Sequence, residues 1–318
     1  MKRLVAFCLT SNGVDQYARM QRLACDSLRF SDPECSINLV LDYKTLGSIE
    51  SAAPELLDQF DRLWPIEVPA GPSSWVNRWL KTGLRTIIDG DVLYLDADLV
   101  VRGSLARIWN CNCDVAGVLN GNTVEPFFSH SDRRQYEELG WGLPAHGSIN
   151  GGVIFWRATD GAFKVAEKYR SRWLEASEKT GRHNDQPALN RALADVGAGI
   201  GILDNSFNAM ETYHPRNLQN AMVWHFINSG GAARAATRWH EAVFSDGPFP
   251  PVSAWAQWEH PWILRDPVAK FALSSMVRED RVSFKGDWRR HWIRGERKTA
   301  LRKLLGRMKS VFPALHRK

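Results

Sequence analysis

The chain has 318 residues, 44% hydrophobic and 24% charged, which suits one large domain with a substantial core plus an extension. Its net charge of +6 is uneven: residues 286–318 hold eleven Lys/Arg and two Asp/Glu, leaving 30 basic and 33 acidic residues elsewhere. That excludes a basic groove over the whole fold, as a nucleic-acid binder needs, no stretch is apolar enough to span a bilayer, and five cysteines without a framework exclude a disulfide scaffold.

Met1 to Thr10 starts basic, but its apolar run is too short for a signal peptide. Leu4 to Leu9 reads as a first strand, so a cytoplasmic protein is expected. Ser11-Asn12-Gly13 is loop chemistry. Tyr17 to Leu28 places Tyr17, Met20, Leu23, Ala24 and Leu28 on one helical face. Ser36 to Asp42 is a second strand, and Phe60 to Val68 a third, broken by Pro65. Asn77 to Ile88 reads as a helix, followed by the strand Val92-Leu93-Tyr94-Leu95 that leads into Asp96-Ala97-Asp98. Asp114 to Leu119 and Ser148 to Trp156 are further strands, the latter entered through small residues that let a ligand approach the backbone. Cys111-Asn112-Cys113 has no second Cys or His pair nearby, so reduced thiols are expected rather than zinc.

Phe163 to Leu174 is a helix, and His183-Asn184-Asp185-Gln186-Pro187 opens another that ends near Leu193, with Pro187 suited to the first turn. Short strands follow around Ile200 to Leu203 and Met222 to Phe226. The strand–helix alternation predicts an α/β fold with a mostly parallel, right-handed sheet and helices on both faces. Asp96 and Asp98 then fall at a strand's carboxyl end, where open α/β sheets place ligands. Spaced at i and i+2 on an extended strand, they would point the same way. Two buried carboxylates side by side repel, and a hard cation such as Mg²⁺ or Mn²⁺ resolves the repulsion. A cation so held can clamp a diphosphate.

Asp91–Val101, Asn150–Phe155, His183–Asn190 and His225–Gly230 occur in the order found in GT-A glycosyltransferases. The chain resembles glycosyltransferase family 8, which includes retaining bacterial lipopolysaccharide galactosyl- and glucosyltransferases and glycogenin, over roughly Arg3 to Gly230. The resemblance implies a GT-A, Rossmann-like nucleotide-diphospho-sugar transferase fold, a UDP-sugar donor, a glycan or lipid-linked acceptor, and Mn²⁺ (or Mg²⁺). It implies Asp96, Asp98 and His225 as metal ligands, with Asp96 and Ala97 also meeting the donor. Taken alone, His225 between Trp224 and Phe226 reads as a core histidine; the motif context reverses that. Asn150 and Gly151 resemble the pair that contacts the donor sugar. Asp185 and Gln186 resemble the catalytic pair facing the sugar hydroxyls and anomeric carbon, and Asp185 also fits a helix N-cap. Thr10 and Asn12 resemble a uridine-binding loop, Tyr17 a ring stacked on uracil, and Lys81 or Arg78 a basic residue that meets the donor. The family's first-loop Asp is absent from Thr10-Ser11-Asn12, and Arg234 stands near where the family has a phosphate-binding Lys.

The expected organisation is a catalytic domain over 1–230, a Trp-rich extension over 231–285 on the acceptor side, and a basic tail over 286–318. In the tail Leu301, Leu304, Leu305, Met308, Val311 and Phe312 share one helical face among Lys and Arg. That is the pattern of a helix lying on an anionic membrane surface, and a lipid-linked acceptor would explain it. The expected protein is a hexosyltransferase in surface polysaccharide or lipopolysaccharide synthesis, peripheral to the inner face of the membrane and without a nucleic-acid partner. A non-catalytic GT-A-like protein binding glycan or partners is the rival reading, disfavoured by the intact Asp96, Asp98, Asp185 and His225 set.

Overall fold

The computed structural model of the chain describes residues 2–128, 130–210 and 221–225. Arg234, the Trp-rich stretch 231–285 and the tail 286–318 lie outside the described residues. Among the described residues no helix is long and apolar enough to cross a membrane.

Among the described residues ten strands and six α-helices follow one another as β1 (Arg3–Leu9), α1 (Gln16–Ser31), β2 (Cys35–Asp42), α2 (Tyr43–Ala52), β3 (Arg62–Ile66), α3 (Ser73–Ile87), β4 (Val92–Leu95), β5 (Leu99–Val101), β6 (Val115–Leu119), α4 (His130–Leu139), β7 (Ile149–Trp156), α5 (Asp160–Thr180), α6 (Gln186–Val196), β8 (Ile200–Ile202), β9 (Ala209–Met210) and β10 (Val223–His225). Seven strands form the main sheet in the order β3-β2-β1-β4-β7-β6-β8. Neighbours pair in parallel except for β7, which runs antiparallel to both β4 and β6. The expected α/β class with a mostly parallel sheet therefore holds, with one reversed strand inside it.

The period of two along each strand divides the core between two faces. Val5, Phe7, Leu9, Leu93 and Leu95 pack toward α1, and Ala6, Cys8, Val92 and Tyr94 pack toward α3 and α5. The sheet is thus buried on both sides, which is why its strands read as apolar runs. Pro65 does not break β3: the strand runs through it because β3 is an edge strand, where the missing N–H faces no partner. Helix α3 begins at Ser73, a turn before the expected Asn77, directly after Pro72. Helix α2 was not expected at all; Asp42 caps it by accepting from the Thr45 backbone N–H and hydroxyl.

Two features place a site. The chain runs from β1 outward to β2 and β3 and then returns to β4 on β1's other side, so β1 and β4 flank a topological switch point. And β4 ends at Leu95: Asp96-Ala97-Asp98 is a bend, not the extended strand expected, with the Asp96 N–H held 2.8 Å from the Gly152 carbonyl. Beyond it β5 leaves for a second, three-stranded sheet, β5-β10-β9.

Candidate metal and donor site

The second sheet brings distant residues together. β10 pairs antiparallel with β5 so that His225 lies opposite Leu99, the residue after Asp98. His225 Nε2 is 3.3 Å from Asp98 Oδ1 and 4.0 Å from Asp96 Oδ2. One ligand atom from each of the three residues lies within 4.8 Å of the others. Two carboxylates and one imidazole form a donor set of intermediate hardness, suited to Mn²⁺ or Mg²⁺.

Helix α3 supplies the positive side. Arg78 and Lys81, one turn apart, face the same way. Lys81 Nζ sits 3.2 Å from Asp96 Oδ1 and 3.3 Å from Asp185 Oδ2, with only 3% of its side chain exposed. Arg78 Nε is 2.7 Å from Asp185 Oδ1. Tyr94 donates its hydroxyl to Asp96, and Tyr169 donates to Asp185. Neither tyrosine was singled out from the sequence, because a strand or helix tyrosine looks like core until its hydroxyl partner is seen. With His225 neutral, three carboxylates and two fixed cations leave one negative charge, and a divalent cation fits that deficit.

These contacts set the ionisation. Burial alone would raise the Asp185 carboxyl, but Lys81 and Arg78 outweigh it and hold the group at about 2. Asp96 is likewise held below the ordinary carboxylate range, with burial opposing and Lys81, Arg78 and His225 prevailing. His225 is raised: burial opposes the imidazolium, and Asp98 and Asp96 favour it. Burial, reinforced by the adjacent carboxylates, pushes Tyr94 and Tyr169 up, so both hydroxyls remain donors. Asp185 stabilises the fold above its unfolded value of 3.8, and the benefit is lost as pH falls toward 2. We expect that increment to be about 2 kcal/mol. Urea titrations between pH 5 and 2 should show a steeper acid loss for wild type than for Asp185→Asn; equal slopes would remove Asp185 from the ion network.

Asp185 stands at the N-cap position of α6, yet its side chain makes no capping bond and turns to Arg78, Lys81 and Tyr169. Gln186 is held by its amide: Oε1 accepts from Gly151 N–H at 3.2 Å and from Asn150 Nδ2 at 3.3 Å, and Nε2 donates to Ser148 Oγ at 3.2 Å. Asn190, buried one turn on, pins α6 to β7 by bonding both backbone groups of Ile149. The small residues of β7 leave room for the protein's own site side chains. A Cβ on Gly151 would stand 3.3 Å from Lys81 Nζ, and one on Gly152 would stand 2.2 Å from His225 Cε1.

A cleft of about 380 Å³ opens over the switch point, lined by Leu9, Thr10, Tyr17, Arg78, Asp96, Ala97 and Asp98 among others. Of the sequence-expected site residues, Thr10, Tyr17 and Arg78 line this cleft with the aspartates, and Thr10 Oγ1 is buried there without a partner. Asn12 is not among its lining residues: its Oδ1 accepts from the Val14 and Asp15 N–H groups and shapes the loop. The amide of Asn150 is bonded to protein on both sides, to Asn120 and Gln186 through Nδ2 and to Gly152 and Asn208 through Oδ1. The nearest acid to the first loop, Asp15, accepts from Ser11 Oγ and the N–H groups of Asn12, Tyr17 and Ala18, and so holds the loop on α1.

An open sheet with a switch-point cleft, a bent Asp-x-Asp after β4 and a histidine returned by a small second sheet define a GT-A glycosyltransferase fold. The chain resembles glycosyltransferase family 8: residues 90–230 match the model described as Glycosyl transferase family 8. Among solved structures it is similar to the galactosyltransferase LgtC in complex with donor and acceptor sugar analogues, at 18% identity and a TM-score of 0.51 over 77% of this chain and 97% of that one. It is also similar to apo mouse xyloside xylosyltransferase 1 (12% identity, TM-score 0.45, 70% of this chain and 97% of that one). The glycosyltransferase GlyE of Streptococcus pneumoniae aligns at 17% identity and a TM-score of 0.48, over 85% of this chain and 64% of that one. No curated protein matches the chain.

Proposed function

We propose that this protein is a metal-dependent hexosyltransferase that moves a sugar from a UDP-sugar, with retention, to a glycan or lipid-linked acceptor in surface polysaccharide synthesis. The observation that carries the proposal is the convergence of Asp96, Asp98 and His225, with the two aspartates lining the cleft and Lys81 linking Asp96 to the buried Asp185. Mn²⁺ is the preferred ion for two carboxylates and an imidazole, and when bound it supplies Lewis-acid stabilisation of the leaving diphosphate. Thr10 and Tyr17, which line the cleft, are assigned to the nucleotide, the tyrosine being half exposed. Arg78, one-third exposed, adds a fixed positive charge for phosphate oxygens.

Asp185 is ionised at neutral pH, so it accepts hydrogen bonds from donor hydroxyls and favours positive charge at the anomeric carbon. It serves as neither acid nor proton relay. Gln186 is an amide fixed by three bonds, too weak a nucleophile for a covalent intermediate. The sugar–phosphate C–O bond breaks, the acceptor oxygen bonds the same face, and the departing phosphate oxygen takes the acceptor proton. No separate base is needed. The basic tail over 286–318 belongs to this reading as an anchor on an anionic membrane surface.

The test is a panel of UDP- and GDP-sugars incubated with Mn²⁺ and assayed for nucleotide release. One UDP-sugar should turn over only with metal, and Asp98→Asn should lower kcat/KM by about three orders of magnitude, the scale of losing a transition-state charge stabiliser. No turnover across the panel, or full activity in the variant, would sink the proposal.

A further inference from the structure

We infer that Asn208, a residue of the turn between β8 and β9, is the positioning residue that presents His225 Nε2 to the metal. This inference rests on the metal reading above. The backbone N–H of Gly152 can only donate, and it points at Asn150 Oδ1 from 2.9 Å. That fixes which end of the Asn150 amide is oxygen. The same Oδ1 lies 2.9 Å from Asn208 Nδ2, so Asn208 donates there, and its own Oδ1 must face the other way. It faces His225 Nδ1 at 2.9 Å. An amide oxygen accepts only, so Nδ1 carries the hydrogen.

The lone pair of a neutral His225 is therefore on Nε2, the atom 3.3 Å from Asp98. Metal-bound histidines are oriented in this way by an acceptor on the other ring nitrogen. Asn208 is itself immobilised. It is wholly buried, and Asn122 Nδ2 donates to its carbonyl at 2.8 Å. Asn122 Oδ1 accepts from Met210 N–H at 2.7 Å, and Asn205 Nδ2 donates to the Asn122 carbonyl at 2.9 Å. Asn122 takes a left-handed backbone, φ 52°, one of the few that asparagine tolerates well. Four asparagines outside the metal set, Asn122, Asn150, Asn205 and Asn208, thus hold one imidazole in one tautomer. Through Asn150 Nδ2 the chain reaches Gln186, so the metal ligand and the sugar-facing amide share one hydrogen-bonded frame.

Asn208→Leu removes the acceptor while keeping the branched side-chain shape, whereas Asn208→Asp keeps an acceptor for Nδ1 but loses the donor to Asn150. Manganese binding to the full-length, metal-stripped protein is read from the EPR signal of free Mn²⁺. Asn208→Leu should weaken binding by about 10- to 100-fold and Asn208→Asp by less than about threefold, the range known for outer-shell partners of metal ligands. Equal losses in both variants would mean that the Asn150 contact matters and the tautomer does not, and would overturn the inference. So would wild-type affinity in the leucine variant. Long-range ¹H–¹⁵N spectra of the metal-free wild type at pH 9, with His225→Gln assigning the signal, should show the Nδ1–H tautomer. An Nε2–H signal would overturn the inference even if the leucine variant does not fold. Unchanged Mn²⁺ binding in Asp98→Asn and His225→Gln would instead overturn the metal reading beneath it.

Discussion

Replacing Gly152 with alanine should abolish tight Mn²⁺ binding while leaving the main sheet in place. The new methyl group would stand 2.2 Å from His225 Cε1 and 2.8 Å from Nδ1, with Asn150 Oδ1 at 3.0 Å. The ring cannot swing away freely, because it is buried and Asn208 holds its Nδ1. Reaching ordinary contact moves it by about 1 Å, whereas metal–ligand distances tolerate about 0.2 Å. An affinity loss on the order of 100-fold follows. Strand β7 itself loses nothing, since alanine is compatible with an extended backbone. Far-UV circular dichroism should match wild type while the Mn²⁺ titration by EPR does not saturate. Combined with His225→Gln, the glycine substitution should add almost nothing, because both act through one ligand. A Gly152→Ala protein that binds Mn²⁺ as wild type does would show that the imidazole is not where the metal needs it.

Lys81→Met should destabilise the metal-free protein by about 3–5 kcal/mol, the scale of breaking a buried ion pair from one side. Lys81 is the cation between Asp96 and Asp185, and methionine fills its volume without its charge. Arg78 and Tyr169 still hold Asp185, but Asp96 keeps only the Tyr94 hydroxyl and the more distant Arg78 charge. The site's net charge then falls from −1 to −2, so a divalent cation gains what the lysine supplied. The melting temperature in EDTA should drop sharply, and the rise on adding Mn²⁺ should exceed that of wild type. An unchanged melting temperature in EDTA would show that the lysine's charge is answered elsewhere.

Much of this was legible locally. Period-two apolar runs marked β1, β2, β4, β6 and β7, and the i, i+3, i+4 stripe marked α1, because each buries a face against the sheet. Helix α2 escaped notice because its stripe is thin: Gly47 and Ser48 interrupt it, and only Thr45 and Ile49 are buried. Asp96, Asp98, Asp185 and His225 were readable as a set by their order, but their geometry was not. An i, i+2 pair on a strand became a bend, since β5 must turn away to meet β10. Asn208 left no local signal. A polar residue in a turn declares its role only when the fold brings a strand from elsewhere against it. Asn150 was legible as a site residue, yet what its amide bonds depended on side chains far away in sequence.

The small second sheet has a consequence for the order in which the molecule is built. Among the described residues β5 has β10 as its sole ladder partner, and β9 reaches it only through β10. During synthesis, Asp96 and Asp98 emerge long before His225, while α3 and the first four strands are already available to pack. For that interval the nascent chain carries a carboxylate pair with no third ligand, and Lys81, made earlier still, is the counter-ion of Asp96. The lysine beside Asp96 is thus already made, and can offset part of the carboxylate charge, before the strand that brings His225 exists.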